Sequence, residues 1–262
     1  MPRHYLAGLA ALALTGVAAT AATAQGVDWN WKGAVAAGKS IEIKGVNGSI
    51  RATAGSGSDV VVTAVKKGRK SDPSTVSIEV VNSAAGVTIC AVYPGSGKQP
   101  NSCGAGHDGH MSTNDNDVSV DFTVQVPAGV RFVGRTVNGS VGTERLGSDA
   151  DVSTVNGDVR VVASGIVRAN TVNGQIDVSM GKADWSGTVE LSTVNGSIRA
   201  TLPANFIAEV SGKTVNGSIE SEFPLTVQGK FGPRSIHGTI GAGGRTLDLA
   251  TVNGSITLAK GS

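Results

Sequence analysis

The sequence predicts an all-β, single-domain parallel β-solenoid, and three observations predict it. The phrase Thr-Val-Asn-Gly-Ser-Ile stands at 193–198, 214–219 and 251–256, with close variants at 45–50, 136–141, 154–159, 171–176 and 235–240. From Asn138 onward the asparagine recurs at steps of 16 to 22 residues, with His237 standing in its place once. Apolar residues alternate on both sides of each copy, as in Val189 and Leu191 before it and Ile198, Ala200 and Leu202 after it. A phrase that returns about every twenty residues marks stacked coils burying a shared core. Period-two alternation makes each flank a strand with one face inward.

The parts of one coil follow from local chemistry. Leu191 and Thr193 share one parity, whereas Val194 shares the parity of Ile198. A one-residue slip in a straight strand would turn the core face to water. The chain is therefore expected to bend between Thr and Val, with Val in the inward set and Asn-Gly supplying a positive φ. Asn-Gly between alternating runs is also a hairpin signal, but a meander gives no reason for the same residue at every corner. In a stack, equivalent residues lie about 4.8 Å apart, and identical Asn side chains can hydrogen-bond as a ladder. Asn138, Asn156, Asn173, Asn195, Asn216 and Asn253 are expected in that one column. Propeller blades need about forty residues each, twice the step seen here.

The chain opens with Met1-Pro-Arg-His-Tyr, an apolar run between residues 6 and 17, and a small-x-small site at Ala22-Thr23-Ala24. That is the layout of a cleaved signal peptide over residues 1–24, and the run is too short to span a membrane comfortably. Residues 25–262 are then one exported domain, periplasmic or extracellular at the cell surface, with no transmembrane segment. They divide into irregular N-terminal coils over 25–135 and regular Thr-Val-Asn-Gly repeats over 136–262. Loss of Arg3 with the leader leaves 21 basic and 20 acidic side chains, a balance that gives nucleic acid no support as a partner.

Within the irregular half, Trp29 and Trp31 share one face of an extended segment. They are expected to close the end of the stack, since terminal coils need a cap; stacking on a sugar is the rival use. Strands are expected at 40–44, 59–65, 75–81, 86–92 and 118–126. Cys90 and Cys103, the two cysteines, flank a run of turn residues and are expected to pair as a disulfide in an exported chain. Such a loop closure contributes about 3 kcal/mol.

The segment 104–117 holds the candidate metal ligands His107, His110, Asp115 and Asp117. It lacks the calcium-loop pattern and the further ligands of a zinc site, so a solvated loop, with no metal and no cofactor, is the expected reading. Asp158 and Asp177 stand at different offsets after their glycines, so stacking does not pair them as a glycoside hydrolase requires. No nucleophile elbow or phosphate loop is present. The chain is expected not to be an enzyme.

Trp29-x-Trp31, Ile41-x-Ile43 ahead of Gly45-Val46-Asn47-Gly48, Gly86-Val87-Thr88-Ile89-Cys90, the alternating run from Val118 to Pro127 and the Thr-Val-Asn-Gly series cover nearly all of residues 25–262. In that order they resemble the bacterial adhesin-like family also called the toastrack domain, a family of unknown function. The resemblance implies a β-helix-like domain at the bacterial cell envelope. Three classes of function follow. The first is an adhesin-like binding or scaffolding module, with envelope glycan or protein as partner and Arg199, Glu220 and Glu222 as surface contacts. The second is a structural or envelope-stress protein without a ligand, and the third a polysaccharide-acting β-helix enzyme. The first is expected, because the copies keep their corners while outward positions vary from coil to coil.

Overall fold

The computed structural model describes residues 27–95, 100–113, 115–181, 187–227 and 234–261; the expected signal peptide lies outside the described residues. Apart from a 3-10 turn at Pro73–Thr75, the regular elements described are strands, gathered into a ten-stranded sheet, an eleven-stranded sheet and a small hairpin. One turn of the chain lays a strand in the larger sheet, passes the Asn corner and lays a strand in the ten-stranded sheet. Thr188–Ser192, its corner and Ile198–Pro203 do this in sequence. Successive turns pair in parallel, with Ile50, Val141, Val159, Ile176, Ile198 and Ile256 in one register row. All six are buried, and they face a second buried set that includes Ile43, Val152, Ala169, Leu191 and Leu249. The fold is a parallel β-solenoid flattened into two sheets.

The corner reverses part of the expectation. Thr193 continues the inward set and is buried, while Val194 turns out and is 40% exposed. Val137, Val155, Val172, Val215 and Val252 are exposed likewise, and their threonines are buried. The phase change falls within Val-Asn-Gly-Ser, all four of which leave the core, and not between Thr and Val. The buried hydroxyl has a use there: a polar group taken from water needs a partner. Thr193 Oγ1 donates to the Gly174 carbonyl of the neighbouring turn at 3.0 Å, Thr251 to Gly196 at 2.9 Å, and Thr154 to Gly139 at 2.8 Å.

The glycine is required for a different reason from the one expected. Gly48 and Gly139 have positive φ, at 120° and 151°, but the later corner glycines do not. All share a close approach instead. A Cβ on Gly157, Gly174, Gly196, Gly254 or Gly217 would collide with the carbonyl oxygen of the glycine one turn away.

The asparagine amides form a continuous column. Nδ2 of Asn138 donates to Asn47 Oδ1 at 2.9 Å, and the chain of bonds continues through Asn156, Asn173, Asn195, Asn253 and Asn216 at 2.7–2.8 Å. The column thus starts one turn earlier than expected, at Asn47. It is also exposed from Asn138 to Asn216, so water can replace a lost amide. Asn195→Ala is expected to cost about 1 kcal/mol or less, read as the shift of a denaturant midpoint. A loss of several kcal/mol would contradict a solvated column.

Spatial order departs from chain order at the C-terminal end. Thr246–Ala250 lies between Thr188–Ser192 and Ala208–Lys213, and Ile256–Gly261 lies between Ile198–Pro203 and Ile219–Ser221. The last turn is inserted between two earlier ones. The variant at 235–240 is not a corner. It is the strand Ser235–Ile240, antiparallel to Ala208–Lys213, with His237 opposite Ser211 and exposed. This copy lacks the Thr whose hydroxyl closes a corner against its neighbour.

At the other end Val27–Ala34 and Asp59–Lys67 add antiparallel strands beyond Ser119–Val126. Trp29 and Trp31 pack half-buried against the core there. Antiparallel strands thus close this end of the ten-stranded sheet and both ends of the eleven-stranded one, while Ile219–Ser221 ends the ten-stranded sheet as a parallel edge strand.

Candidate functional site

Because the corners fix register, they also fix which side chains share the outer face. In the ten-stranded sheet the row runs Thr123, Arg51, Gly142, Arg160, Asp177, Arg199, Thr257, Glu220. Arg51, Arg160 and Arg199 therefore stand on every second strand, about 9.6 Å apart at the usual strand spacing. Among the described residues none of the three side chains has a hydrogen bond or ion pair. Arg199 and Glu220, assigned to consecutive coils in the sequence, are two strands apart with Thr257 between them. Glu222 is not free: its Oε2 accepts the Lys260 N–H at 2.7 Å.

An open groove of about 790 Å3 runs over this face, with Ser49, Arg51, Ser140, Gly142, Glu144 and Arg160 among its lining. Two carboxylates in it are already engaged. Asp121 accepts the Ser49 N–H at 3.0 Å and meets Lys67 at 3.5 Å, while Asp158 accepts the Gln175 N–H at 2.9 Å. One rim carries an extra residue between Thr143 and Leu146, where Arg145 adopts φ 50°. The bulge leaves Glu144 and Arg145 both exposed, as bulges often do beside a site. Thr143 stays buried, its Oγ1 accepting the Val162 N–H at 3.1 Å.

The outer face of the other sheet is covered near its end by residues 102–110. Cys90 and Cys103 are bonded, with Cα atoms 5.6 Å apart. Lys44 Nζ donates to the carbonyls of Gly104 at 2.5 Å and Asp108 at 3.1 Å, and burial lowers its pKa. Beneath the loop, buried Glu42 accepts Thr88 Oγ1 at 2.9 Å and Gly106 N–H at 2.8 Å, and pairs with Arg135 at 3.3 Å. Tyr93 plugs the junction, its hydroxyl donating to the Val118 carbonyl at 2.8 Å, and burial pushes its pKa up to about 12.

These partners leave the candidate metal ligands apart. His107 and His110 are exposed around a separate recess of about 270 Å3. Asp117 instead accepts the N–H groups of Lys70 and Ser71, and the Ser71 bond is the main cause lowering its pKa. Among the described residues no three His, Cys, Asp or Glu side chains are placed to hold a metal ion. No helix of the described residues is long and apolar enough to cross a membrane.

A family model described as Toastrack DUF4097 matches residues 37–259. The chain belongs to that family. Two solved structures are similar to this Toastrack chain. One is a candidate cell adhesion protein from Clostridium sporogenes ATCC 15579, 10% identical over 90% of this chain and 100% of its own, with TM-score 0.47. The other is a candidate adhesin from Bacteroides fragilis NCTC 9343, 14% identical over 88% and 97%, with TM-score 0.40. No curated protein matches the chain.

Sequence reasoning missed Arg51, Gly142 and Arg160 in this Toastrack domain. A signal was present. Two residues after the Ser, Asp or Gln that follows Asn-Gly, the copies read Arg51, Arg160, Asp177, Arg199, Glu220 and Thr257, and Gly142 alone carries no side chain.

Proposed function

We propose that this Toastrack domain is an exported, non-catalytic module of the cell envelope that binds envelope glycan or protein along the outer face of its ten-stranded sheet. The observation that carries the reading is the row in which Arg51, Arg160 and Arg199 recur on every second strand without partners among the described residues. Unsatisfied guanidinium forks on a rigid sheet suit the carboxylate or phosphate of a partner. Repeated corners serve backbone geometry, whereas the outward row differs from turn to turn and offers one contact per strand. Several weak contacts engaged together gain avidity, and charged ones weaken as salt rises through the physiological range. Export rests on the leader-like pattern of residues 1–24.

The test is binding of the purified protein to an envelope-glycan array and to whole cells. Replacing Arg199 and Glu220 together by Ala should reduce binding several-fold, lessen its salt dependence and leave the thermal midpoint unchanged. Turnover of a polysaccharide by the purified protein, abolished by one carboxylate substitution, would overturn the reading in favour of an enzyme.

A further inference from the structure

We infer that the groove over Gly142 is a subsite for the carboxylate-bearing sugar of an acidic polysaccharide; this deepens the face-binding reading and rests on it. Gly142 sits inside the strand Val141–Leu146, where glycine costs about 0.5–1 kcal/mol relative to alanine. Packing does not require it. Its φ lies outside the left-handed region, and an added Cβ would meet the Arg160 carbonyl oxygen at 3.8 Å, an ordinary contact. By contrast, a Cβ on Gly134 or Gly212 would press into Phe132 or Ile236. A strand glycine with no such reason, placed in the middle of an outward row, marks close approach by something from outside.

The surroundings say what approaches. Gly142 forms the bare floor of the groove, and its row neighbours on the two sides are Arg51 and Arg160. Both are exposed, and neither guanidinium has a hydrogen bond or ion pair among the described residues. Of the three carboxylates on the lining, Asp121 and Asp158 are held by backbone N–H groups, Asp121 also by Lys67, and Glu144 stands exposed at the bulge, two residues from Gly142. Two guanidinium forks on the strands either side of an empty position are placed to take a planar anion between them, which each can bind through two hydrogen bonds. Ser49 and Ser140 on the same lining offer hydroxyls that match sugar hydroxyls.

The row also explains why the anion belongs to a polymer. Arg199 lies a further two strands along, beyond Asp177. The interval of about 9.6 Å is close to the length of two linked sugar rings. With one carboxylate over Gly142, a glycan bearing a uronic acid at every second ring sets the next over the Asp177 position, flanked by Arg160 and Arg199, so that this stretch of the row opposes three guanidiniums to one acidic side chain.

The experiment measures binding of the purified exported protein to hyaluronate, whose uronic acid recurs at every second ring, and to its carboxyl-reduced, neutral counterpart. Hyaluronate should bind, less tightly as salt rises, and the neutral polymer should not. Gly142→Val fills the floor and should weaken hyaluronate binding about tenfold or more, the scale of one lost charge-assisted contact, with an unchanged or raised thermal midpoint. Arg51→Gln with Arg160→Gln should remove both binding and its salt dependence while far-ultraviolet circular dichroism stays the same. Failure of hyaluronate to bind, equal binding of the neutral polymer, or indifference to Gly142→Val would overturn the subsite. If another glycan or a protein binds in a manner that needs Arg199 and Glu220 but not Gly142, the subsite falls and the face-binding reading stands.

Discussion

Deleting residues 246–261 is expected to leave the chain unfolded or aggregated, not one turn shorter. In a stack built in chain order, the last turn is terminal and its loss removes one interface. Here the last turn is internal. Thr246–Ala250 separates Thr188–Ser192 from Ala208–Lys213, and Ile256–Gly261 separates Ile198–Pro203 from Ile219–Ser221. Leu247, Leu249, Ile256 and Leu258 are all buried, and burying four such side chains contributes about 6–12 kcal/mol at the usual rate per side chain. That is comparable to the whole stability of an ordinary domain, about 5–15 kcal/mol. Deletion also uncovers the ladder edges on both flanking turns, which invite pairing between chains. Size-exclusion chromatography with circular dichroism decides it. A soluble truncated monomer whose melting point has dropped only a few degrees would mean that the turn is dispensable.

The same insertion shows where the sequence stops being legible. Stacking, strand positions and the asparagine column could be read because each is a repeated local demand. The order of the turns could not, because near-identical phrases make any turn an acceptable neighbour for any other. Asn195 hydrogen-bonds Asn253 with the same geometry it would offer Asn216. The antiparallel strand Ser235–Ile240 occupies the far side of Ala208–Lys213, which leaves the last turn the side facing Thr188–Ser192. Hydropathy also misled at the corner, where the apolar Val194 is outside and the polar Thr193 inside. A threonine is tolerated in the core because the neighbouring Gly174 carbonyl needs a donor. The arginine row was half visible: Arg199 could be read as outward from parity, but its alignment with Arg160 and Arg51 depends on inter-turn register, which a single coil does not reveal.

Gly196→Ala should destabilise the protein by about 1–3 kcal/mol, the range for overpacking a well-packed site, although it adds one methyl group at a half-exposed position. The added Cβ would strike the Gly174 carbonyl oxygen, and the turns cannot part locally to admit it. That carbonyl already accepts Thr193 Oγ1 at 3.0 Å, Gly174 N–H donates to Asn195 O at 3.0 Å, and Gly196 N–H donates to Asn253 O at 2.9 Å. The amides of Asn195 bridge both neighbours at 2.7–2.8 Å. Moving Gly196 away from Gly174 would stretch the first two bonds and press the Gly196 carbonyl toward Gly254, whose own missing Cβ shows how little room is left. For a domain of this size each kcal/mol lowers the melting midpoint by about 2–4 °C, so calorimetry resolves the effect. The matched control is Gly142→Ala, the same chemical change in a strand where the Cβ has ordinary space; it should leave the midpoint unchanged or raise it. Equal losses at the two positions would point to a general backbone effect of glycine. A loss confined to Gly196 identifies the close passage of adjacent turns as the reason the corner phrase keeps its glycine.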